Sequence, residues 1–242
     1  MRTILKKEMW IRQLRVFLAA TLCAFGMSLP WSVMGQVPPS AVQVARYSGL
    51  HATAYKGDAL QLEKLIASQS DVNARDDYGR TPVHVATFAK QRNIIRKLAK
   101  VGANLELLES DKYDAVTIAA VADDEETLRV LLSLGASAKL TTSRYDGTAL
   151  IAAAHLGHEG VVKQLIEASA PLDHVNNLHW TAMIESIVLG NGGARHQEVL
   201  RALIAAGAST KLTDRQGNTP LTLAKSRGYT DMVQMLEKAG AK

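Results

Sequence analysis

The chain has 242 residues, of which 47% are apolar, 21% charged and 5% aromatic, which is ordinary globular usage apart from the scarcity of rings and excludes a disordered chain. A single cysteine, Cys23, excludes a disulfide framework, a cysteine-based zinc cluster and a CxxC redox pair. The net charge of +5 sits mostly at the start: residues 1–35 hold Arg2, Lys6, Lys7, Arg12 and Arg15 against Glu8, leaving +1 on the remaining 207 residues. A near-neutral body has no electrostatic footprint for nucleic acid, despite a pI of 9.3.

The first 35 residues read as a secretory signal. The basic stretch ends at Arg15, a mostly apolar run follows from Val16 to Leu29, and Val33 and Gly35 supply the small residues of a cleavage site before Gln36. A spanning anchor is the rival reading, but the run is shorter than the ~18 apolar residues a span needs and Pro30 interrupts it. Cys23 sits in mid-run after Leu22, not at the end of the run where a lipid-attached cysteine belongs. Removal of the signal leaves a chain without cysteine, without a membrane span, and periplasmic or secreted. Pro38-Pro39 then lead to Ser40-Ala-Val-Gln43, a capping-box pattern that starts a short lead-in helix within a 36–45 linker.

From residue 46 onward the chain repeats itself. Thr81-Pro82-Val83-His84-Val85-Ala86 has counterparts beginning at Ser48, Val116, Thr148, Thr181 and Thr219, spaced 33, 35, 32, 33 and 38 residues apart. A second anchor, Gly-Ala, recurs at Gly102, Gly135, Gly207 and Gly240, with Gln69-Ser70 and Ser169-Ala170 in the other two units. Each unit reads as two short antiparallel helices and a projecting turn. Thr81-Pro82 and Thr219-Pro220 put a capping hydroxyl before a proline whose missing N–H is harmless in a first turn. Apolar pairs four apart, such as Val161-Val162 with Leu165-Ile166, mark the second helix, and Gly-Ala ends it. One unit cannot bury both helices, so neighbours must stack into a continuous core.

The signature and period resemble those of the ankyrin-repeat family, whose T-P-L-H-x-A motif matches Thr81 to Ala86, and whose D-x-x-G-x-T-P form stands at Asp76–Pro82 and Asp214–Pro220. A signal followed by six units is similar to small exported bacterial ankyrin proteins. The resemblance implies an all-α solenoid of six helix-turn-helix units over residues 46–242. The third unit departs most: Asp114 stands at the turn glycine, Val116-Thr117 replaces Thr-Pro, and its helix pair reads two residues short.

The ends of the array are marked by polarity. Three residues before the second anchor the units carry Ile66, Ala99, Leu132, Ile166 and Ile204, then Glu237 in the last. Eight residues before it, Gln61 in the first unit precedes Ile94, Thr127, Val161, Val199 and Met232. Both ends are therefore expected to be caps.

Chemistry is sparse. No Gly-rich phosphate loop, H-E-x-x-H, G-x-S-x-G or cysteine nucleophile occurs, which lowers the expectation of an enzyme. His51 and His84 occupy the signature's fourth position and are expected to bridge neighbouring turns by hydrogen bonds. His155, His158, His174 and His179 make a conceivable metal or hydrolytic set, although His158 follows Gly157 where ankyrin units commonly show Gly-His; no metal site or cofactor is assigned. Asp123-Asp-Glu-Glu126 reads as a helix cap rather than a calcium loop, and Gly190-Asn-Gly-Gly193 as an insertion between helices rather than an anion cradle.

Binding of another protein through the concave face is what the family resemblance implies; fold by itself does not dictate function. An accessory of an envelope enzyme, linked by resemblance to peroxide defence, is the alternative, and a metal or hydrolytic protein using His155, His158 and His179 a further one. The expected contact residues are turn aromatics: Tyr78, Tyr113 and Tyr145 three residues before the signature position, and Trp180 close by on the next turn, with Arg80, Arg144, His179 and Glu185 adding polar contacts.

Overall fold

The computed structural model describes residues 38–242. The signal assigned to residues 1–35 lies outside the described residues. A lead-in helix α1 (Ala41–Arg46) is followed by six helix pairs: α2 (Gly49–Lys56) with α3 (Ala59–Ala67), α4 (Pro82–Phe88) with α5 (Arg92–Lys100), α6 (Ala115–Val121) with α7 (Glu125–Ser133), α8 (Ala149–Leu156) with α9 (Glu159–Glu167), α10 (Ala182–Val188) with α11 (Ala194–Ala205), and α12 (Pro220–Ser226) with α13 (Thr230–Lys238). Among the described residues there is no strand, only an isolated bridge between Thr142 and Gly147. Ser40 caps α1 in the expected capping box, its Oγ accepting from Gln43 N–H while Gln43 Oε1 accepts from Ser40 N–H.

First helices pack on first helices and second on second, forming two layers that run the length of the array. The core lies between the layers, where Leu62, Ile94, Ile95, Leu98, Leu128, Leu131, Leu150, Leu165, Met183 and Ile187 are sealed from solvent. Ser48 before α2 makes no side-chain cap bond, but the first helices of the last four units start on one. Thr148, Thr181 and Thr219 accept from the N–H three residues on, at 3.2–3.3 Å.

In the third unit the cap is Asp114, not Val116: its carboxylate accepts from Thr117 N–H at 2.9 Å. The units are therefore spaced 33, 33, 34, 33 and 38 residues apart, and α6 and α7 match α4 and α5 in length. This corrects the shortened third unit and removes Asp114 from the turn glycine's place. Lys112 holds that place, with φ 65 against 70 at Gly79 and 81 at Gly217; Asp146 and His179 complete the set. Left-handed backbone is demanded two residues before every cap from the second unit on, whether or not glycine fills it.

The polar residues at the marked positions of the first and last units face solvent. Gln61 and Glu237 are exposed, whereas Ile94, Thr127, Val161, Val199 and Met232 are buried. The 190–193 segment is an insertion between α10 and α11 that lies against the last unit: Tyr229 Oη donates to Gly190 O at 3.0 Å. A Cβ on Gly192 would stand 2.5 Å from the Tyr229 ring, so glycine there reflects close approach. In the acidic run, Asp124 caps α7, accepting from Thr127 N–H at 3.1 Å and from Arg92 at 3.0 Å, while Asp123 pairs with Arg195 and Glu126 with Arg92.

Candidate binding face

The projecting turns share one wiring scheme. Five residues before each cap an acceptor side chain, Asp76, Glu109, Ser143, Asn176 or Asp214, receives the N–H groups two and four residues on, at 2.8–3.4 Å. Successive tips are linked by backbone bonds: Ser110 N–H donates to Tyr78 O, Ser143 N–H to Lys112 O and Asn177 N–H to Tyr145 O. Beneath them His51 Nε2 meets Arg80 O at 2.8 Å and His84 Nε2 meets Tyr113 O at 3.2 Å, the inter-turn bridges expected of the fourth signature position. His84 Nδ1 accepts from Thr81 N–H, so the ring is the Nε2–H tautomer. Burial then holds its pKa down to about 4.

This scaffold sorts the expected contact residues. Tyr78 and Tyr145 stand at the tips, 45% and 55% exposed. Tyr113 does not share their position. With Asp114 as the cap, Tyr113 falls one residue before it, in register with Arg80 and Trp180, and both rings are half-buried. The four-ring ladder is thus two rows, exposed tyrosines at the tips and half-buried rings one step below. Burial raises the Tyr113 phenol pKa, with the Asp111 and Glu109 charges adding to it.

Two expected polar contacts are buried. Arg80 is only 5% exposed, its guanidinium 4.7 Å from the Tyr78 ring centre, 5.8 Å from that of Phe88, and within reach of Asp76, Gln43 and Tyr47. It fastens α1 to the second unit and props Tyr78 from below. Glu185 is also 5% exposed; Oε1 accepts from Asn176 Nδ2 at 2.8 Å, and Oε2 lies 3.3 Å from His155 Nδ1. Arg144 and His179 are exposed as expected, Arg144 paired with Asp111 and His179 Nδ1 3.2 Å from Thr213 O.

The histidines are not gathered. His158 Nδ1 meets Ala120 O at 2.9 Å, His174 Nε2 meets Asp146 O at 2.6 Å, and His155 faces Glu185. No group of three or more His, Cys, Asp or Glu among the described residues is placed to hold a metal ion, and no helix among them is long and apolar enough to cross a membrane. Sequence reasoning did not find the His155–Glu185–Asn176 cluster. A signal existed, since Glu185 stands four residues after its cap where other units carry Val85, Ile118, Ala152 or Leu223.

Stacked helix pairs with projecting turns define a helical-repeat solenoid, a class of interaction scaffold. Ankyrin-repeat family models match residues 50–142, 119–214 and 193–237, and the chain belongs to the ankyrin-repeat family. It is 32% identical over 189 residues to the ankyrin repeat protein YahD of Escherichia coli (strain K12), a match covering 78% of this chain and 94% of YahD. The solved ankyrin repeat domain ABAYE2397 of Acinetobacter baumannii AYE superposes with a TM-score of 0.76 at 38% identity, covering 80% of this chain and 98% of that one. A chain in the solved complex of the predatory endopeptidase Bd0816 of Bdellovibrio bacteriovorus with immunity protein Bd3460 superposes with a TM-score of 0.62 at 26% identity, covering 79% and 98%. Ankyrin-repeat proteins are generally modules for binding other proteins.

Proposed function

We propose that this protein is an exported, non-catalytic binding module that grips another protein with the concave face formed by its turns and first helices. The observation that carries this reading is the exposure of Tyr78 and Tyr145 at two tips of a ring-poor chain. Tip side chains are not needed to bury the core, whereas tyrosine gives a large contact area at low entropic cost. Tyr113 and Trp180 widen the apolar surface between and beside them, and Arg144 and His179 edge it. Export rests on the signal pattern of residues 1–35, and implies a mature chain starting at or near Gln36 and residing in the periplasm or outside the cell.

A second reading, an accessory that binds an envelope enzyme, is favoured by the likeness to a chain of the endopeptidase–immunity complex. The test for the face is single alanine substitution of Tyr78 and Tyr145, read by both melting temperature and affinity for the partner recovered by crosslinking. Each should weaken binding by about 2 kcal/mol, Tyr145→Ala at unchanged melting and Tyr78→Ala with only the small loss of its contact with Arg80, about 0.5–1 kcal/mol. Lower melting with unchanged binding would overturn the reading. Intact mass of the exported protein checks the signal; retention of Met1 in the membrane fraction would contradict it.

A further inference from the structure

The His155–Glu185–Asn176 cluster joins two units on the side of the first helices. Glu185 on α10 is buried, and His155 on α8 is its one ion-pair contact among the described residues. Asn176 ties the cluster to the neighbouring tip, because its Oδ1 receives Trp180 N–H at 3.0 Å while its Nδ2 donates to Glu185. The imidazole keeps 21% of its side-chain surface open.

A carboxylate oxygen 3.3 Å from Nδ1 favours the tautomer with the proton on Nδ1, which leaves a lone pair on Nε2. The cluster is net negative with a neutral imidazole and net neutral with an imidazolium, so in neither state does it attract an anion. Exposed cations of the same and adjoining units are paired with other carboxylates: Arg144 with Asp111, Lys112 with Asp146, and Arg195 with Asp123. His196 Nε2 meets the carbonyl of His155, and His158 Nδ1 that of Ala120. Among the described residues the buried Glu185 carboxylate thus has no Lys or Arg paired with it, only His155 and the Asn176 amide.

We propose that His155, Glu185 and Asn176 form the seat for a lysine or arginine side chain of the bound protein, an inference that rests on the concave-face reading above. The incoming N–H donates to His155 Nε2, and its charge lies in the field of Glu185, which weak local screening strengthens. Asn176 holds the carboxylate in place and couples the seat to the Trp180 turn.

The test is an NMR titration of the whole protein with n-butylguanidinium chloride, following the His155 imidazole and Trp180 indole resonances, assigned with H155F and W180F. Sodium acetate and n-butanol serve as controls. A saturable shift of both resonances is expected with the guanidinium alone, weakened about tenfold in Glu185→Gln. That variant keeps an oxygen for Asn176, and an unchanged amide fingerprint elsewhere confirms its fold. Saturation by acetate instead, or equal guanidinium affinity in Glu185→Gln, overturns the proposal. The two readings fail separately: loss of the guanidinium effect while partner affinity still depends on Tyr145 removes only the seat, and partner affinity independent of Tyr78 and Tyr145 removes the face.

Discussion

Lowering the pH should loosen this protein through His84. The ring is buried between the second and third units, with Nδ1 occupied by Thr81 N–H and Nε2 by Tyr113 O. Burial, the largest cause, holds its pKa at about 4, against about 6.5 in an unfolded chain. Above pH 6.5 the ring is neutral in both states and adds no pH dependence. Between pH 6.5 and 4 the unfolded chain takes up a proton that the folded chain does not, so stability falls as pH falls, by about 3 kcal/mol in full. Burial raises Glu109 and Asp114, which take up protons first in the folded state and so oppose this trend. At Asp124 and Asp214 burial acts upward, but hydrogen bonds from Thr127 and Arg92, and from Asn218 and Gln216, outweigh it; their stabilisation is lost at lower pH. These carboxylates are shared by parent and variant, so the comparison with His84→Gln isolates the ring, and the amide still offers a donor to Tyr113 O. Urea unfolding at pH 7 and pH 4.5 should show the parent losing about 2.5 kcal/mol more than the variant. Identical losses would refute a His84 held neutral by burial.

Replacing Asn176 by Asp should keep the turn acceptor but set a carboxylate against Glu185 where the amide now spans 2.8 Å; a loss of about 1–3 kcal/mol at neutral pH, smaller in acid, should appear in thermal melts. Lys112→Gly should raise stability by about 0.5–1 kcal/mol, since φ 65 strains a side-chain-bearing residue by more than the added freedom of the unfolded chain returns. Deleting residues 211–242 should uncover Ile204, which packs at the edge of the core, and give early melting or aggregation in light scattering. Glu237→Leu should instead melt normally and self-associate.

Periodicity made the solenoid and its six helix pairs readable, because stacking forces the same apolar positions to recur. The third unit misled for a physical reason. A cap needs only a side-chain acceptor, and aspartate at 114 serves as well as threonine, while Thr117 mimicked the signature. Lys112 in a left-handed conformation hid the turn that glycine announces elsewhere. That two-residue slip placed Tyr113 on the wrong row. Arg80 was read as a surface contact because its cover, Gln43 in the lead-in helix and Tyr47 just after it, precedes the first signature position and follows no repeat pattern. The His155–Glu185 pair arises from neighbouring units 30 residues apart, and only a break in the apolar pattern at Glu185 betrays it.

The central claim, that the turn face grips a protein, is tested most directly by site-specific photocrosslinking in the producing cell. A benzophenone side chain placed at Tyr145, and separately at Glu167 at the end of α9, reports which surface is occupied. The account predicts one discrete covalent adduct from position 145 and none from position 167. An adduct from 167 with none from 145 would contradict it.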